Sequence, residues 1–155
     1  MKPRLLTILS FATGLLLSTL GCSKKDDPQS IANTGSYVSD GRKVSCTATG
    51  GFYSSLGNDN LTFDLATTPQ PPAGKEVLRL IYTKSVAQPT SDYALSQLQL
   101  LNNGAISTLY NADAYTLTSH SDGTFSGTFS SGTKYPNPGT AAPILTGGVF
   151  SRVHP

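Results

Sequence analysis

Apolar residues recur at every second position over much of this chain. Leu61, Phe63 and Leu65 alternate with Thr62 and Asp64, the pattern of a strand with one buried face. Thr is frequent throughout, and its branched Cβ stiffens χ1 and favours the pleated state. Residues 75–83 are apolar on both faces (Val77, Leu78, Leu80, Ile81, Tyr82), which predicts a central strand covered on both sides. Residues 105–110, 115–119, 124–130 and 144–153 predict further strands, while the Pro- and Gly-bearing stretches 67–74 and 131–138 predict loops. Eight or nine short strands with turn signals between them make the expected fold all-β: a single antiparallel sandwich or barrel-like domain.

Two hairpins are predicted in register. A two-residue Asp40-Gly41 loop pairs Tyr37 with Val44 and keeps Cys46 on the same face; Asp-Gly suits a type I′ turn, where both central residues need positive φ. Around Ser121-Asp122-Gly123, a three-residue loop with Gly123 left-handed pairs Phe129 with Tyr115 and sets Gly127 opposite Leu117. That register gathers the aromatics on one face, and a one-residue slip scatters them. Residues 91–104 fit two patterns. Ser91 as N-cap and Gly104 after the end suit a helix, whereas alternation through Ala94, Ser96, Leu98 and Leu100 suits a strand. In a β-rich chain the strand is preferred.

The N-terminus breaks this pattern. Lys2 and Arg4 precede an uncharged, Leu-rich run over residues 5–20, too short for a membrane span of about 20 residues but suited to a signal-peptide core. The run ends in Ser18-Thr19-Leu20-Gly21-Cys22, which resembles the lipobox of bacterial lipoproteins, with Thr19 where Leu is usual. The resemblance implies cleavage between Gly21 and Cys22, lipidation of the Cys22 sulfur, and acylation of the new amino group. Several acyl chains are needed because each buried methylene contributes about 0.8 kcal/mol and one chain holds only marginally. Lys24-Lys25-Asp26-Asp27 also resembles the export signal that carries Bacteroidota lipoproteins to the outer cell face. The expected organisation is a cleaved signal (1–21), a lipidated Cys and flexible tether (22–34), and a β-rich domain (35–155). A tether of that length has a reach of roughly 20 Å.

Gly123-Thr124-Phe125-Ser126-Gly127-Thr128-Phe129-Ser130 and Leu145-Thr146-Gly147-Gly148-Val149-Phe150 extend the resemblance. The chain looks like small Bacteroidota-type lipoproteins of unknown function, with a lipobox and a β-rich domain ending in a Gly-Xaa-Phe strand. That resemblance implies the architecture and carries no catalytic residue.

Charge sharpens the picture. The 155 residues hold 11 Lys+Arg and 9 Asp+Glu, for a net charge of +2. Lys2 and Arg4 are the only charges in residues 1–21, so processing leaves a formally neutral protein. Net charge therefore provides no attraction to nucleic acid or anionic lipid, and the membrane partner is reached through the anchor on Cys22.

Candidate chemistry is sparse. With Cys22 lipidated, Cys46 has no disulfide partner in the chain, and its place beside Tyr37 and Val44 reads as a small buried hydrophobe. His120-Ser121-Asp122 reads as a hairpin tip, because adjacent residues cannot form a catalytic relay. Gly57-Asn58-Asp59-Asn60 reads as a turn that lacks calcium-loop spacing. Asp64 and Glu76 read as solvent-facing charges on strands. Tyr53, Tyr110 and Tyr135 lie near loops or strand ends, where an amphipathic ring can contact a sugar or protein. No catalytic residue, metal site or cofactor is expected. The expected role is non-catalytic binding or structure at the outer membrane or cell surface, with the periplasmic face as the alternative location. An envelope protein or glycan is the expected ligand class. The competing classes are an envelope hydrolase and an accessory carbohydrate-binding module.

Overall fold

A computed structural model describes residues 32–134 and 144–155. The strands are β1 (Thr34–Ser39), β2 (Arg42–Ser55), β3 (Asn58–Thr67), β4 (Glu76–Ser85), β5 (Ala94–Asn102), β6 (Ala105–Asn111), β7 (Ala114–Ser119), β8 (Phe125–Ser131), β9 (Thr133–Lys134) and β10 (Leu145–Val153). They form one curled sheet in the order β7-β8-β10-β1-β2-β3-β4-β5-β6-β9, every pairing antiparallel. The all-β expectation holds, in its barrel-like form. The two-residue β9 falls where the sequence predicts a loop. Only Gly132 separates β9 from β8, yet β9 pairs with β6 (Tyr110↔Lys134, Asn111↔Thr133), so the chain stitches opposite sides of the curl together.

Both predicted hairpin registers are present. Tyr37 pairs with Val44 around Asp40 (φ 48°) and Gly41 (φ 76°). Tyr115 pairs with Phe129 and Leu117 with Gly127, with Gly123 left-handed at φ 79°. Two further two-residue turns carry positive φ at both positions: Leu56-Gly57 between Ser55 and Asn58, and Asn103-Gly104 between Asn102 and Ala105. Asn58, Asp59 and Asn60 consequently belong to β3 rather than to a turn.

Residues 91–104 form a strand after a single 3-10 turn at Thr90–Asp92. Its expected alternation is corrected by a bulge. Tyr82 faces Leu95 while Ile81 faces Gln97, so Ser96 is the extra residue and the inward phase shifts from Leu95 to Leu98. Ala94 and Ser96 are exposed. The resulting three-residue spacing imitates a helix period, which explains the ambiguity of this stretch. The central position of β4 is as expected, but not its double coverage. Leu78, Leu80 and Tyr82 are fully buried, while Arg79, Ile81 and Thr83 are half-buried, because a single curled layer has only one interior.

Rings fill that interior. Phe63 of β3 stacks on Phe150 of β10 at 4.6 Å and meets Phe125 of β8 at 6.0 Å and Tyr82 at 5.9 Å. Two reciprocal pairs make room for them: Phe129 lies over Gly148, and Phe150 over Gly127. A Cβ would come within 2.4 Å of the Phe129 ring at Gly148, and within 2.7 Å of the Phe150 ring at Gly127. The spacing of the Gly-Xaa-Phe run is therefore a packing requirement.

The staggered strands give the sheet two distinct ends. β1 begins with Thr34 opposite Thr47, but β2 continues to Ser55, so the Leu56-Gly57 turn projects beyond the point where the chain enters the sheet. The Asp40-Gly41 and Asn103-Gly104 turns lie at the other end. Leu56 is the exception among the three tight turns. A non-Gly residue pays about 1–2 kcal/mol to be left-handed, and Asp or Asn lowers that cost by local hydrogen bonding. Leu56→Asn should therefore raise stability by about 1 kcal/mol, read as a higher urea midpoint with unchanged slope. An unchanged or lower midpoint would show that Leu56 makes an intramolecular contact that offsets its strain.

Candidate functional site

One concavity among the described residues follows from an incomplete strand pairing. β6 covers β5 only from Leu98 to Asn102, and the sheet order ends at β7. Between the start of β5 and the edge of β7 lies a cleft of about 510 Å³. Thr90, Ser91 and Tyr93 line one side, and Tyr115, Thr116 and Thr118 are among the lining residues on the other. Pro89, in extended conformation, leads into the 3-10 turn that places Tyr93. Tyr93 is buried, and Lys84 Nζ lies 5.4 Å from its ring centroid. Lys84 Nζ also donates to Asp59 Oδ2 at 2.9 Å, and Ser54 Oγ donates to Asp59 Oδ1 at 2.6 Å. These bonds hold the Asp59 carboxyl below the usual carboxylate range, with the Ser54 bond contributing most. Burial raises the Tyr93 phenol, and the nearby Lys84 charge partly opposes that rise.

Tyr115 forms the opposite wall. Its ring stands edge-on to Tyr82 at 6.1 Å, which fixes its orientation while leaving it 40% exposed. The lining consists of hydroxyls, aromatic rings and Leu117, without a carboxylate, imidazole, thiol or ammonium group. Such a surface suits neutral, hydroxyl-rich or peptide-like ligands, which stack on rings and exchange hydrogen bonds with hydroxyls.

The sequence-derived candidates are scattered. Tyr53 is 46% exposed on β2, near the projecting turn. Tyr110 is only 4% exposed; its ring points into the core and its hydroxyl has no hydrogen-bond partner. It therefore presents no face at the surface. Burial pushes its phenol up to about 12. The two are on different strands and do not converge. Tyr135, Gly21 and Cys22 lie outside the described residues. Sequence reasoning passed over Tyr93 and Tyr115 as cleft residues. The available signal was Pro89 before a polar run, together with an edge strand of alternating Tyr, Thr and Leu.

The other candidates have structural partners. Asp64 takes a bidentate pair from Arg79 at 2.7 Å for each bond. Glu76 lies on the other face, accepting from Thr67 at 3.0 Å and from Tyr37 at 3.4 Å, so these two carboxylates do not form a pair. His120-Ser121-Asp122 is the hairpin tip: Asp122 caps Thr124 and pairs with Arg152 at 2.9 Å, while His120 meets Ser126 at 2.8 Å. Among the described residues, no three of His, Cys, Asp and Glu converge.

Cys46 is 6% exposed, and burial, with a smaller contribution from Glu76, pushes its thiol up to about 12. A maleimide reagent at neutral pH should leave it unmodified in the folded protein and label it once denaturant is added. Rapid labelling of the native protein would contradict the buried placement. Comparison with family models, curated proteins and solved structures finds no match to this chain.

Proposed function

We propose that this protein is a lipid-anchored component of the bacterial cell envelope that binds a neutral ligand in the cleft between Tyr93 and Tyr115, without catalysing a reaction. The observation that carries the binding role is the composition of the cleft: two tyrosines and several hydroxyls without a charged group. The lipobox at residues 18–22 supports attachment through acyl chains on Cys22, and the Lys-Asp tract behind it supports display on the outer cell surface. A neutral glycan segment is the favoured ligand class. An extended peptide is the second reading, supported by β7 standing at the end of the strand order beside the cleft.

Two measurements test this reading. Cys22→Ser should abolish acylation and membrane retention, and unchanged membrane fractionation would overturn the anchor. For the cleft, the full-length protein is titrated with neutral oligosaccharides released from envelope polysaccharide. Tyr115→Ala should weaken binding about tenfold, in the range of a lost aromatic stacking contact. Identical affinities would remove the cleft from the binding site.

A further inference from the structure

The Leu56-Gly57 turn breaks a rule that its two counterparts obey. Asp40-Gly41 and Asn103-Gly104 place Asp and Asn in the left-handed position, whereas Leu56 occupies it at φ 51°. It does so with 98% of its surface exposed, so no core contact compensates for the strain. A local rule broken without internal gain is a mark of a functional position. Val86 lies alongside, donating its backbone N–H to Gly57 O at 3.1 Å, and is 56% exposed. Phe52 and Tyr53, 56% and 46% exposed, lie behind the turn on β2. Residues 50–58 and 85–91 contain no charged side chain. The charges that flank the turn on β3 and β4, Asp59 and Lys84, pair at 2.9 Å, and the next charge along the chain is Asp92 at the end of the 3-10 turn.

The placement of this tip selects its partner. Thr34 pairs with Thr47, and from Thr47 the strand runs nine residues farther to Leu56, about 30 Å at roughly 3.3 Å per residue. The chain therefore enters the sheet on the side toward which the tip projects. Twelve residue steps separate Cys22 from Thr34, a span whose covalent limit is about 40 Å. A bilayer holding Cys22 thus lies within reach of the tip. An uncharged tip with Leu and Val at its apex and Phe and Tyr behind it fits the boundary between acyl chains and headgroups.

We infer that the Leu56-Gly57 turn, with Val86, Phe52 and Tyr53, is a second membrane contact that inserts into the bilayer carrying the Cys22 anchor. This inference rests on the anchor proposed above. The contact orients the domain: β2 and β3 stand on the membrane, and the Asp40-Gly41 and Asn103-Gly104 turns point away from it.

The chain has no tryptophan, so Leu56→Trp introduces a unique reporter. The full-length protein, purified from membranes and checked for Cys22 acylation by mass spectrometry, is reconstituted into vesicles of phosphatidylethanolamine and phosphatidylglycerol. Vesicles with brominated acyl chains should quench the indole at position 56 by more than half and shift its emission to the blue. An indole introduced by Ile106→Trp, toward the other end of the sheet, should show neither effect. Adding Leu56→Asn to a Val86→Trp protein should release quenching at position 86, although that substitution relieves turn strain. An unquenched indole at position 56 in acylated protein overturns the tip contact and leaves the anchor intact. A missing acyl group overturns the anchor and, with it, the orientation argued here.

Discussion

The contact of Phe63 with Phe150 and Phe125 holds the curl of the sheet. Phe63 lies on β3, whose hydrogen-bonded neighbours are β2 and β4, while its ring partners lie on β8 and β10. Those strands meet Phe63 only because the sheet bends around it, so ring burial and sheet curvature depend on each other. The bend is built into the backbone. Extra residues in β5, β6 and β10 kink the pairing, and the glycines opposite Phe129 and Phe150 let the rings sink against the strand. Aromatic pairs add roughly 0.5–1.5 kcal/mol each beyond the area they bury, enough for the cluster to favour one curl over alternatives.

The same curvature produces the features attributed to function. β6 pairs with β9 at Tyr110 and Asn111, the same end at which its pairing with β5 stops at Leu98, so the start of β5 is left uncovered and the cleft lies beside that gap. Because β2 and β3 overrun the start of β1, their turn projects past the rest of the fold. Cleft and tip therefore belong to the same part of the domain. Thr90–Asp92 follows closely after Val86, and Asp59 and Lys84 of the tip strands brace Tyr93 of the cleft. A domain standing on its tip would hold the cleft on the side of the membrane surface.

Much of the fold was legible because the signals were local. The Asp40-Gly41 and Ser121-Asp122-Gly123 loops fix their registers through the φ requirements of two or three residues, and both registers occur as expected. Leu56-Gly57 was hidden because Leu is a poor marker of a type I′ turn. The bulge at Ser96 was hidden because an extra residue shifts the inward phase and turns a period of two into a spacing of three. Tyr110 read as a surface ring from its place near a strand end. Its inward face follows from its place opposite buried Leu98, beyond a bulge in β6 that shifts the alternation and leaves no local pattern.

By itself, the chain determined the all-β class, the two hairpin registers, the lipobox resemblance and the neutrality of everything after residue 21. Each of these rests on neighbouring residues and short-range stereochemistry. Tertiary structure alone decided where the sheet closes, which tyrosines border an opening and which turn projects. Those outcomes depend on strand pairs such as Tyr110 with Lys134 and ring contacts such as Tyr82 with Tyr115, made between residues far apart in the chain. Their positions are set by the accumulated bend of all the intervening strands, a sum that no local window contains.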